Sequence, residues 1–317
     1  RTTVQNRLKS LAHGPRLKTE RNIFGSGLQR GAQVLPREDP IGIEALDPLQ
    51  RGSLVHQVQF ELLTRLQAES TPEQPLLPAR PENLERLHAT LDEVLDKVAG
   101  DFKDRLVPAI ERVWEDGIES IRADLREWLY RESLSGTPFE PWRFELSFGL
   151  PPDSDRDEHS QIEPVDLGTG LRLRGAIDLI EKTPDGVLRV TDHKTGKHRA
   201  KRDAIIQGGE LLQPVLYGLV AQKLFPEMHV ESGRLYYCTT AGGYRAHEVP
   251  LNDHTTQAAR VLSEVVREAF TAGQFPALPR ANTCRWCDYR SVCGPDEEQR
   301  VRRKPKTVEL KRLRDYQ

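Results

Sequence analysis

Cysteine is scarce in this chain: four in 317 residues, three of them clustered between 284 and 293. That is unlike the even, dispersed framework of a secreted disulfide scaffold, and clustered thiols inside cells more often bind metal. Long apolar runs are missing as well. No stretch approaches the roughly 20 residues a membrane span needs, and no charged start leads into an apolar segment with a cleavage site. A soluble, reducing compartment, the cytoplasm, is expected. No G-x-x-x-x-G-K-[ST] occurs, so the chain carries no P-loop motor of its own. No self-similarity appears at a fixed period, which excludes repeat arrays. The first residue is Arg1 rather than Met, so the true start is expected upstream.

The length allows one or two domains. A formal charge of −2 sums over 30% charged residues and hides local runs, with both ends basic. Residues 1 to 50 show no sustained period and read as an irregular basic extension. From Gly52 the spacing of Leu54, Val55, Val58, Leu62 and Leu66 predicts a helix with one buried stripe, and His56 lies beside it. After the Pro-rich "STPEQPLLPARPEN", two further helices are expected near 82 to 98 and 101 to 133. Phe102, Leu106, Ile110, Val113, Ile118, Ile121, Leu125 and Trp128 mark the buried face of the second, with Pro108 as a kink.

Strands are predicted at 143 to 150, 171 to 181 and 187 to 194, the last two joined by "TPDG" as an antiparallel hairpin. An amphipathic helix through "QGGELLQPVLYGLVAQKLF" follows, then strands at "GRLYYCTT" and "YRAHEVPL". A helix near 253 to 272 is capped by Asn252 or Asp253. This order of elements makes an α/β or α+β core.

The hairpin carries the chemistry. Asp192 and Lys194 share one face of their strand. If 183 to 187 form the connection, Asp178 stands opposite Asp192 and the carboxylates converge, whereas a register shifted by one residue sends them to opposite faces. Two close carboxylates favour a cation between them, and hard oxygen ligands suit Mg2+ or Mn2+. Metal-assisted hydrolysis of a phosphodiester would follow, with Lys194 near the attacking water or the developing charge. Read alone, the pattern also fits surface carboxylates and a solvated lysine.

"TCRWCDYRSVCG" sets Cys284, Cys287 and Cys293 in a C-x2-C-x5-C array, compatible with zinc or an iron-sulfur cluster, each of which accepts four cysteines. The remaining cysteine, Cys238, sits in "RLYYCTT", where it is either a buried thiol or the fourth ligand.

In order, "RGSLVH" (51 to 56), "RGAID" (174 to 178), "TDHKTGK" (191 to 197), "QPVLY" (213 to 217) and "CRWCDYRSVC" (284 to 293) resemble the RecB-like branch of the PD-(D/E)XK nucleases. The likeness covers about residues 50 to 295 and extends to AddB-type nuclease domains and CRISPR adaptation nucleases. It implies an α/β fold: a restriction-endonuclease-like mixed β-sheet core flanked by helices, with a helical insertion at 82 to 133 and a C-terminal cysteine clasp. The nuclease domain would span 51 to 295, and 296 to 317 would be a basic tail.

By the resemblance, His56, Asp178, Asp192 and the backbone carbonyl of His193 hold Mg2+ or Mn2+, and Lys194 is the catalytic lysine. Gln213 and Tyr217, four apart on one helix face, support the active site and DNA. His193 stands where the family commonly has an aromatic, and the second acid is Asp rather than Glu. Cys284, Cys287 and Cys293 would join an upstream cysteine around a 4Fe-4S cluster. Residues 1 to 50 contain none, so the fourth ligand is expected before Arg1 or in a disturbed N-terminus.

The implied activity is a metal-dependent DNA exonuclease of repair or recombination. DNA is its substrate, and any helicase function lies in a missing upstream portion or a partner subunit. The competing reading is a catalytically inactive DNA-binding or scaffolding module with a structural zinc or iron-sulfur site.

Overall fold

The computed structural model describes residues 43–151 and 156–273, then Cys284, Cys287, 290–293, 296–303, 312–313 and 316. The extension expected over residues 1–42, and much of the cysteine segment and basic tail, lie outside these. Two compact units are formed. The first takes the described residues up to Glu145 with His193–His198 and Tyr236–Arg245; the second takes Leu146–Asp192, Arg199–Leu235 and Ala246 onward.

The first unit is built on three helices. Helix α1 (Pro48–Glu69) starts four residues before the expected Gly52, because "DPLQ" is a capping box. The Asp47 carboxylate accepts from the Leu49 and Gln50 N–H groups, the Gln50 side chain accepts from the Asp47 N–H, and Pro48 occupies the first turn. Its buried residues include Leu54, Val55, Val58, Leu62 and Leu66, the stripe the spacing predicts, with Leu63 in addition.

Helix α2 (Leu84–Leu106) packs on α1 and on α3 (Glu111–Leu134). The sequence suggested a helix from 101 to 133 kinked at Pro108; instead α2 runs on to Leu106 and the chain breaks there. Proline disfavours helical backbone in the residue before it. Val107 is left-handed (φ 48°), and its N–H closes α2 on the Lys103 carbonyl at 2.9 Å. Ile110 and Val113, expected on the buried face, are therefore exposed, while Trp114, Ile118, Ile121, Leu125 and Trp128 are buried. Arg122 on α3 ties the pair together through Asp92 (2.9 Å) and Asp96 (2.5 Å) on α2, and pairs with Glu119 (3.0 Å) on its own helix.

The strands are β1 (Glu140–Phe148), β2 (Val165–Asp166), β3 (Arg172–Leu173), β4 (Gly175–Lys182), β5 (Leu188–Lys194), β6 (Val230–Tyr237) and β7 (Arg245–Pro250). Five form a mixed sheet in the order β1-β4-β5-β6-β7, with β2 and β3 paired separately. The β4–β5 connection is 183–187, as "TPDG" predicts. Thr183 N–H donates to the Val187 carbonyl (2.9 Å), and Gly186, with φ 90°, supplies the left-handed residue of the turn.

In the second unit, helix α4 (Gln213–Leu224) follows β5. The expected helix start at Gln207 is replaced by a short 3-10 turn, since Gly208 and Gly209 are left-handed and Pro214 belongs in a first helical turn. Nor is α4 amphipathic: Val215, Leu216, Tyr217, Gly218, Val220 and Ala221 are all buried. Helix α5 (Asp253–Ala272), capped by Asn252, packs on α4 through Ala258, Ala259, Leu262 and Val265. At Gly233 on β6 a Cβ would lie 1.9 Å from the Pro214 carbonyl oxygen. The Gly233→Ala variant is therefore expected to lose at least about 1–3 kcal/mol through overpacking, read as a lower urea midpoint.

Candidate active site

Hairpin register decides whether the acids converge. Leu179 pairs with Thr191, Ile180 with Val190, Glu181 with Arg189 and Lys182 with Leu188. The same register carried one residue further sets Asp178 opposite Asp192. Asp192 is buried and Asp178 half-buried, and Lys194 lies two residues beyond Asp192 on the same strand face.

The Lys194 backbone is clamped: its carbonyl accepts from the Cys238 N–H at 3.1 Å, and the Thr195 carbonyl accepts from the Thr239 hydroxyl at 3.0 Å. The His193 imidazole is buried, edge-on to Trp128 (5.7 Å between centroids) and tilted against Tyr236 (6.1 Å). Its ring thus fills an aromatic-lined slot, which accounts for histidine standing where an aromatic is common.

On α1, His56 is half-buried, with Nδ1 3.9 Å from a Glu145 carboxylate oxygen. Glu145 was missed by the sequence reading. It sits on β1 between buried Phe144 and Leu146, at φ 48°, a conformation a non-glycine residue adopts only at some cost. The available signal was one acid alternating with Phe144, Leu146 and Phe148 in "RFELSF". His56 and Glu145, both in the first unit, set an imidazole beside a carboxylate, donors that suit a hard or borderline divalent cation.

Arg51, first residue of "RGSLVH", donates to the buried Asp124 carboxylate on α3 at 2.7 Å. Asp124 also accepts from the Thr240 N–H (2.9 Å) and the Tyr244 hydroxyl (3.2 Å). One carboxylate therefore holds both the motif helix and the turn whose Thr239 supports Thr195.

Gln213 and Tyr217 occupy the first turns of α4. Tyr217 is buried edge-on to Phe148 (6.1 Å), and a Cβ added at Gly175 would meet its hydroxyl at 3.3 Å. The glycine of "RGAID" thus makes room for the tyrosine of "QPVLY".

Cys238, one residue past β6, is fully buried, with Gln59 Nε2 3.7 Å from its sulfur. Cys284 and Cys293 are half-buried and Cys287 is exposed. Desolvation first, then Glu297, Glu298 and the other two thiols, push the Cys284 thiol above its ordinary range. Cys287 N–H donates to the Cys284 carbonyl at 3.2 Å, and the short helix Arg290–Cys293 follows.

The family model of the PD-(D/E)XK nuclease superfamily matches residues 27–294. A CRISPR-associated exonuclease Cas4/endonuclease Cas1 fusion of Myxococcus xanthus is 29% identical over 150 residues, 46% of this chain and 25% of that protein. One subunit of an ATP-dependent helicase/deoxyribonuclease of Acetivibrio thermocellus is 30% identical over 146 residues, 44% of this chain and 11% of that protein. The matched stretch is thus a quarter or less of each relative's length. With a restriction-endonuclease-like five-stranded sheet and a family match over most of its length, the chain belongs to the PD-(D/E)XK nuclease superfamily.

Proposed function

We propose that this chain is a metal-dependent DNA exonuclease acting in repair or recombination. The observation that carries the reading is the β4–β5 ladder from Leu179–Thr191 to Lys182–Leu188, whose register, continued by one residue, would put Asp178 opposite Asp192, with Lys194 on the same strand face as Asp192. His56, Asp178, Asp192 and the His193 backbone carbonyl are the proposed ligands of Mg2+ or Mn2+, and Glu145, beside His56, joins them as a third carboxylate. Such an ion, when bound, polarises a phosphoryl oxygen and acidifies water. The carboxylates fix where the scissile phosphate docks. Lys194, its backbone clamped by Cys238, holds a positive charge at the attacking water or the developing phosphoryl charge. Gln213 and Tyr217 are proposed to support the site and the DNA.

Cys284, Cys287 and Cys293 are proposed to hold a structural 4Fe-4S cluster whose fourth ligand comes from outside the described residues. Cys238 is committed to the core beside Gln59. The helicase/deoxyribonuclease relative suggests a helicase partner for this chain.

End-labelled DNA should be degraded from its termini with Mg2+ and left intact with excess EDTA; cleavage that persists in EDTA would sink the metal-dependent reading. The DNA reading is supported further by the loop after Lys194. Lys197, Arg199, Lys201 and Arg202 are exposed there, and Lys197, Lys201 and Arg202 form no ion pair among the described residues. Changing Lys197, Lys201 and Arg202 together to alanine is expected to flatten the slope of log affinity against log salt by roughly 0.7–0.9 per lost phosphate contact. Fluorescence anisotropy in Ca2+ over a salt series measures it.

A further inference from the structure

On the sheet face opposite Asp178 and Asp192 lies a buried charge network in the second unit. Glu181 (β4) receives Arg189 (β5) through Nε at 2.9 Å and Nη2 at 2.8 Å. Arg234 (β6) donates through Nη2 to both Glu181 oxygens at 3.2 Å and through Nε to the Thr191 hydroxyl at 2.9 Å. Thr191 donates in turn to Glu181 at 2.6 Å. The Glu181, Arg189, Thr191 and Arg234 side chains are all buried, and Glu248 adds a second negative charge 3.7 Å from Arg189.

We propose that Glu181, Thr191, Arg189 and Arg234 are positioning residues whose network fixes the β4–β5 register and so the opposition of Asp178 and Asp192. The inference rests on the metal-site reading above.

Alternation excludes a slip of one residue, which turns Glu181 to the wrong face. It does not exclude a slip of two, which keeps every face but puts Glu181 opposite Val187 or Thr191 in place of Arg189. The apolar residues on the acid face, Ile180, Val190 and Leu188, would tolerate that slip. The network does not, because each of its hydrogen bonds is specific to one partner across the strands. Thr191 is the critical joint: it adjoins Asp192 in sequence, pairs with Leu179 beside Asp178, and is bound from both β4 and β6.

The test is Mn2+ binding, followed by electron paramagnetic resonance of free Mn2+ in the whole chain, for Thr191→Val, Thr191→Ser and a control, Leu91→Ala, that weakens the helical core of the first unit. Urea midpoints are measured alongside. Thr191→Val, nearly isosteric, should weaken Mn2+ binding about 10- to 100-fold, the usual consequence of disturbing the partners that orient metal ligands. Thr191→Ser should restore wild-type binding, and Leu91→Ala should bind normally despite its lower urea midpoint. Wild-type affinity in Thr191→Val, or an equal loss in Leu91→Ala, overturns the positioning role while leaving the metal site standing. Absence of Mn2+ binding by the wild-type chain overturns the metal-site reading and this inference with it.

Discussion

Asp192→Ala is expected to lower DNA cleavage at least about 10^3-fold, whereas Lys194→Met lowers it by roughly 10^2- to 10^4-fold and leaves metal binding in place. The two residues share a strand face but do different things. Carried one residue past Leu179–Thr191, the hairpin register puts Asp192 opposite Asp178, so removing it takes away half the negative charge that the hairpin would present to a cation. Mg2+, which stabilises wild type by binding the folded state alone, should therefore no longer raise the variant's melting temperature.

Lys194 supplies charge to the reaction, not to the ion, so its variant should retain the Mg2+-dependent rise. Cleavage assays on end-labelled DNA and melting curves with and without Mg2+ separate the two. Wild-type cleavage by Asp192→Ala would remove the catalytic assignment of the hairpin.

The legibility of this chain followed the range of its determinants. The β4–β5 hairpin was readable because "TPDG" places the turn, and the turn starts the register that the Glu181 network then holds against a slip of two, all but Arg234 within about 17 residues. Helix α5 was readable because Asn252 caps an apolar stripe of regular spacing. Helix α1 was placed four residues late because the apolar stripe outweighed the capping box at Asp47. The break at Pro108 was softened to a kink because Ile110 and Val113 continue, in spacing alone, a stripe that the structure leaves in water.

At the site, His56, Asp178, Asp192 and Lys194 were nameable from motifs. Glu145 was not, because its neighbour His56 lies on the first helix and a lone acid among the apolar residues of "RFELSF" does not by itself mark a ligand. The Glu181 network was invisible for the same reason: Arg234 is 43 residues from the threonine it binds and belongs to none of the motifs.

Glu181→Gln tests that network through stability and pH together. Burial alone would push the Glu181 carboxyl up from its ordinary 4.5; the Arg234 charge, Arg189 and the Thr191 hydroxyl outweigh burial and bring it down to about 2. A carboxyl depressed on folding contributes stability that is fully present above its unfolded pKa. It is lost as pH falls from about 4.5 through the folded value near 2. A shift of this size corresponds to on the order of 3 kcal/mol. Glutamine keeps the shape but removes the charge, leaving the Arg189 and Arg234 guanidinium groups buried without their shared carboxylate. That costs about 3–5 kcal/mol at neutral pH. Below pH 4.5 the gap should narrow, because wild type then protonates Glu181 as it unfolds while the variant has no such proton to take up. Urea midpoints from pH 7 to pH 3 measure this, and parallel curves for the two proteins would show that Glu181 is not the carboxylate on which the sheet's acid stability depends.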